Sequence, residues 1–148
     1  MARGYPDFFG YQTFFSYGTP VAEIVSPLTI VAGATGDPLS LTGKGRSYGG
    51  FMTFTAKAAD VGLFTIEVIV DGNSLGAHDP AGMVLSGTYA DDSYFFRIND
   101  LSYITDYFFG ITYVPNWSWG QTVICRFDLT ACANNIDVYL WFYWARVQ

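Results

Sequence analysis

The chain has 148 residues, a net charge of −6, and 14% charged against 51% hydrophobic side chains. So apolar a composition excludes a disordered chain and suits one folded domain with a real core. The acidity argues against coating nucleic acid directly, which needs clustered Lys and Arg to neutralise phosphates.

The seven basic residues are Arg3, Lys44, Arg46, Lys57, Arg97, Arg126 and Arg146, and only Lys44 and Arg46 lie close together in sequence. Aromatics make up 19%. Few charges and many rings suit a surface covered by other chains. A single thick β core would need the same composition.

In chain order, residues 1–20 read as an extended arm and 21–148 as one β domain. The stretch GYPDFFGYQTFFSYG (4–18) holds seven rings: Tyr5, Phe8, Phe9, Tyr11, Phe14, Phe15 and Tyr17. It has no helical period, and Gly4, Pro6 and Gly10 interrupt any apolar run a secretory leader would need. VAEIVSPLTIV (21–31) predicts a strand whose Pro27 implies an edge, a bulge or a switch between sheets. GATGDP (33–38) is a break before a short strand over 39–42.

GKGRSYGG (43–50) predicts a loop. It lacks the GK[ST] ending and the following helix of a phosphate site, although Lys44 and Arg46 could meet an acidic neighbour. FMTFTAKA (51–58) alternates loosely. LFTIEVIVD (63–71) sets Phe64, Ile66, Val68 and Val70 on one face. Asp71-Gly72 tolerates the positive φ of a type I′ hairpin turn. The single histidine, His78, falls in the turn-like GAHDPAG (76–82), where an exposed ring without triad partners is expected.

Strands are predicted at 83–89, 94–98 and 104–114, with breaks at 90–92 and 99–100. Asp91-Asp92 and Asn99-Asp100 offer hard oxygen ligands but no ordered spacing, so no metal and no cofactor is expected. In VPNWSWG (114–120), Trp117 and Trp119 share one parity in a loop, which would suit a stacking platform for a sugar ring. Packing against the end of the domain or a neighbour is the competing role. QTVICRFDL (121–129) turns Val123, Cys125, Phe127 and Leu129 inward. Cys125 and Cys132, an odd number apart, would face opposite ways in one strand and read as reduced thiols rather than a disulfide or zinc site.

The last strand, over 136–147, is apolar on both faces. One parity holds Ile136, Val138, Leu140, Phe142 and Trp144; the other holds Tyr139, Trp141 and Tyr143. An isolated antiparallel sandwich keeps one face of a strand polar, so a cover over the second face is expected, from the arm or from a neighbouring subunit. No stretch approaches the length of a membrane-spanning helix. Eight or nine strands at spacings near a dozen residues predict a two-sheet antiparallel β-sandwich, with a jelly roll preferred. An immunoglobulin-type sandwich would need a wider Cys–Trp–Cys spacing.

The arm beginning ARGYPDFFGYQTF (2–14) and the body from FTIEVIVDGNSL (64–75) through FRIND (96–100) to VYLWFYWARV (138–147) resemble jelly-roll decoration and minor capsid proteins of tailed bacterial viruses. The resemblance implies a non-enzymatic virion protein, assembled in the host cytoplasm. It implies a homo-oligomer, often a trimer, held on a major capsid or other virion protein. On this reading the arm rings together with Tyr139, Trp141 and Tyr143 form the assembly interface. The alternative is a carbohydrate-binding module or a tail receptor-binding component using Trp117 and Trp119.

Overall fold

A computed structural model describes residues 21–80, 97–104, 107–114 and 118–146, with side chains over 28–80 and 118–146. The arm, Trp117 and the strand expected at 83–89 lie outside the described residues.

Ten strands account for nearly all of the regular structure: β1 Val21–Ile30, β2 Thr35–Thr42, β3 Gly45–Lys57, β4 Thr65–Val70, β5 Asn73–His78, β6 Arg97–Ile104, β7 Tyr107–Val114, β8 Ser118–Trp119, β9 Thr122–Asp128 and β10 Ile136–Arg146. A 3-10 turn, Ala58–Asp60, joins β3 to the loop before β4. Every pairing is antiparallel. The large sheet runs β1-β10-β3-β7-β6, with β8 also on β3; the small sheet runs β2-β9-β4-β5.

This order is a jelly roll. Set aside the short β8 and the outermost β6, and eight strands remain. First pairs with last (β1·β10), second with second-last (β2·β9), third with sixth (β3·β7), and fourth with fifth (β4·β5). A long antiparallel ribbon rolled up on itself gives this nesting, and the rolled ribbon closes through β10·β3 and β9·β4.

The core follows the period of two. Ile136, Val138, Leu140, Phe142 and Trp144 from β10 meet Phe64, Ile66 and Val68, and Val123, Cys125 and Phe127 from the small sheet. At its centre Phe54, Phe64 and Phe127 pack ring on ring, with Phe54 edge-on to the other two at 5.6 and 6.0 Å. Rings of this size supply the largest apolar areas a side chain can bury.

The structure extends several elements past their sequence-predicted limits. Residues 45–50 belong to β3 rather than to a loop, and 35–38 belong to β2. His78 ends β5 opposite Ile66 instead of sitting in an exposed turn, and it is only half-buried. Asn99-Asp100 is a bulge within β6, not a break. In each case Gly, Pro or Asp reads locally as a turn, yet a cross-strand partner holds the backbone extended.

Candidate functional site

The face of the large sheet that turns away from the core carries the densest aromatic surface among the described side chains. It is built on β10, where the odd residues oppose those that line the core. Trp141 stands opposite Phe51 of β3, and Tyr139 opposite Thr53. The Phe51 and Trp141 rings stack at 4.5 Å and 16°. Tyr139 is nearly parallel to Trp141, at 6.4 Å and 12°. Tyr143 continues the row and is 45% exposed.

The arm expected as a cover over this face lies outside the described residues. Phe51 and Tyr139 half-bury Trp141, whereas Tyr143 stays open. In backbone register, Ile24 of β1 lies opposite Trp141, and Tyr113 of β7 lies opposite Phe51. Val21, where residues 1–20 join the domain, lies opposite Trp144. Of the residues expected at an assembly interface, Tyr139, Trp141 and Tyr143 share this face. Tyr5, Phe8, Phe9, Tyr11, Phe14, Phe15 and Tyr17 lie outside the described residues.

The Trp117–Trp119 platform is corrected. Trp119 is 3% exposed and packs on Phe142 and Trp144, with ring centroids 6.3 and 5.8 Å away. Sugar stacking needs an open ring face, and this indole has none. The reason lies in the two-residue β8, which pairs with Gly45 and Arg46 of β3 and turns Trp119 inward. Gly45 leaves the room: a Cβ there would stand 2.5 Å from the indole ring. The indole Nε1 is buried without a hydrogen-bond partner.

Two carboxylates hold the turns. Asp71 and Gly72 take positive φ, 51° and 79°, as a type I′ turn requires. The Asp71 carboxylate also accepts three consecutive backbone N–H groups, from Gly120, Gln121 and Thr122, at 2.6–2.9 Å. These hydrogen bonds, Gly120's first, hold its pKa below the ordinary 3.8. Asp60 is 1% exposed and accepts from Ala133 N, Asn134 N and Asn134 Nδ2, each at 3.0 Å. Sequence reading found the Asp71-Gly72 turn but not its partners, which lie about fifty residues away.

Both cysteines are free, as expected, and both are buried, Cys132 as well as the expected Cys125. Burial first, then the charge of Asp37, pushes the Cys125 thiol up to about 12; burial, then Asp60 and Asp128, pushes Cys132 up to about 11. Such thiols stay protonated and unreactive near neutral pH. Among the described residues no group of three or more His, Cys, Asp or Glu could hold a metal ion. No helix there is long and apolar enough to cross a membrane.

The two ends of the sandwich differ in charge. One end gathers the β2–β3, β4–β5 and β8–β9 turns and the end of β10, and it carries Lys44, Arg46 and Arg146. Register places Arg146 opposite Gly45 and Arg46 opposite Ala145. The Arg146 guanidinium lies 5.8 Å over the Trp144 ring. The other end gathers the β1–β2, β3–β4 and β9–β10 turns and carries Asp60, Asp79, Asp128 and Asp137, with Lys57. Between the ends, Arg126 and Asp37 form a two-pronged pair at 2.8 and 3.0 Å.

A scan against protein-family models finds no match for this sequence, and a search of the curated proteins finds none either.

Proposed function

We propose that the chain is a non-enzymatic virion structural protein, a capsid decoration or minor capsid protein of a tailed bacterial virus. On this reading it assembles as a homo-oligomer on a virion partner through the outer face of its large sheet and its N-terminal arm. The observation that carries this reading is the aromatic row Phe51, Trp141, Tyr139 and Tyr143 on a sheet face that needs no such side chains for its own core. An aromatic ring withdrawn from water contributes on the order of a few kcal/mol, at about 25 cal/mol per Å². Ordering the arm and losing rigid-body freedom offset much of that gain. An arm that orders only on docking couples assembly to folding of the contact.

Deleting residues 1–18 tests the reading. The truncated protein is expected to keep its β circular dichroism and its cooperative unfolding, while its association, read by sedimentation, is lost. A truncated protein that assembles like the full chain removes the arm from the mechanism. Co-purification with virus particles tests the virion assignment itself.

A further inference from the structure

We infer that the basic end of one copy docks on the acidic end of another, in a head-to-tail contact separate from the aromatic face. The protein carries a net charge of −6, yet three of its seven cations meet at one end. Lys44 occupies the β2–β3 turn, Arg46 opens β3, and Arg146 closes β10. None of the three has a carboxylate within ion-pair reach among the described residues.

Asp71, at the same end, is already committed to three backbone N–H groups. The Arg146 guanidinium is bonded to the Thr42 carbonyl, at 3.5 Å, and lies over the face of Trp144. It is held by an aromatic ring with its charge uncompensated, which favours an anionic partner from outside. Lys44 and Arg146 are exposed.

The opposite end supplies the complement. Asp137 is exposed and bonded only to the Thr29 hydroxyl, at 2.6 Å. Asp128 is bonded to the N–H of Thr130, at 2.9 Å. Neutral hydrogen-bond donors leave the charge of both in place. The two ends are opposite faces of one molecule, so the contact is heterologous and adds subunits along the strand direction. Complementary charge at such a contact sets orientation and rate, and like charge opposes it strongly. A protein of this net charge repels nucleic acid over most of its surface, which favours an acidic protein end as the occupant.

A charge-swap pair of full-length variants tests the contact. One carries Lys44→Glu with Arg46→Glu. The other carries Ala131→Lys with Ala133→Lys, two exposed positions in the β9–β10 turn that remove no side-chain hydrogen bond. Circular dichroism confirms that each is folded. Sedimentation is run at roughly 0.01 M salt, where the screening length is about 30 Å, and again near 1 M, where it is about 3 Å.

The wild type is expected to gain mass with concentration at low salt and to lose that gain at high salt. Each variant alone loses it, with association weaker by about tenfold or more. An equimolar mixture recovers association in alternating order, because the intact acidic end of the first variant meets the intact basic end of the second and the two reversed ends also match. A mixture that stays unassociated overturns the contact. Variants that self-associate as the wild type does also overturn it, and such a result leaves assembly through the aromatic face standing. Retention of the wild type on duplex DNA at low salt, without self-association, gives the basic end to a polyanion and overturns it as well.

Discussion

Single residues in this protein are anchored by partners far away in sequence, and two aspartates make the point in different ways. Asp60 is a fully buried carboxylate whose hydrogen bonds all come from the β9–β10 turn. Asp60→Asn turns an amide N–H toward backbone N–H groups, so at least one buried donor loses its acceptor. The expected cost is about 1–3 kcal/mol, read as a lower urea midpoint with an unchanged slope. Asp71 is exposed, and its bonds to Gly120, Gln121 and Thr122 hold its folded pKa below the ordinary 3.8. A depressed carboxylate pKa stabilises the fold above the unfolded value, and that stabilisation is lost as pH falls through the folded value. Asp71→Asn keeps the positive-φ tolerance and loses the charge. It should lower the melting temperature at neutral pH, and the gap to the wild type should close as pH falls below about 3.8. A gap that stays constant through the acid range would show that charge at this site does not matter. The turn at Asp71-Gly72 was legible from its two residue types; the N–H groups it collects were not, because only the fold brings β8–β9 beside β4–β5.

At the scale of elements, legibility follows burial. Strands β4, β9 and β10 each have one face against the core, so hydrophobic residues recur every second position and mark both the strand and its parity. The first half of β3 gives no such signal. Residues 45–50 form strand because Gly45 admits the Trp119 ring and Gly50 lies against the backbone of Trp141 and Phe142. In sequence the same glycines look like a loop. Gly50→Ala has nowhere to put its Cβ and should break the β3·β10 register, at a cost of about 3 kcal/mol or more. Gly45→Ala meets the Trp119 ring at 2.5 Å and the Ala145 carbonyl only at 3.1 Å, so it should cost less, about 1–3 kcal/mol. Thermal unfolding of the two variants orders them, and equal effects would contradict this packing.

Among the described residues, the outermost strands of the two sheets share a further feature. Each of β1, β2, β5 and β6 carries an extra residue against its neighbour, and β1 and β2 have Pro27 and Pro38 at that point. Bulges and prolines blunt edges against strand pairing with another chain. Growth edge to edge is therefore disfavoured, which leaves faces and ends as the surfaces for assembly.

At the scale of the whole molecule, the proposed function has β10 separate folding from association, with one parity for each. Leu140 is 1% exposed and belongs to the core; Trp141 and Tyr143 point the other way. The doubly apolar pattern was visible in the sequence. The stack of Phe51 on Trp141 was not, since it depends on a register between strands about ninety residues apart. Leu140→Ala leaves a cavity and should cost about 2–5 kcal/mol of stability. At temperatures where it stays folded, it should associate as the wild type does. Trp141→Ser with Tyr143→Ser removes apolar area from an outer face, so its loss of stability should be the smaller of the two. Its loss of association should be the larger, since rings that anchor an interface carry most of its energy. Chemical denaturation and sedimentation on the same two variants read both quantities. If the Leu140 variant dissociates while folded, or the double variant assembles normally, the outer face of the large sheet is not where copies of this protein meet their partners.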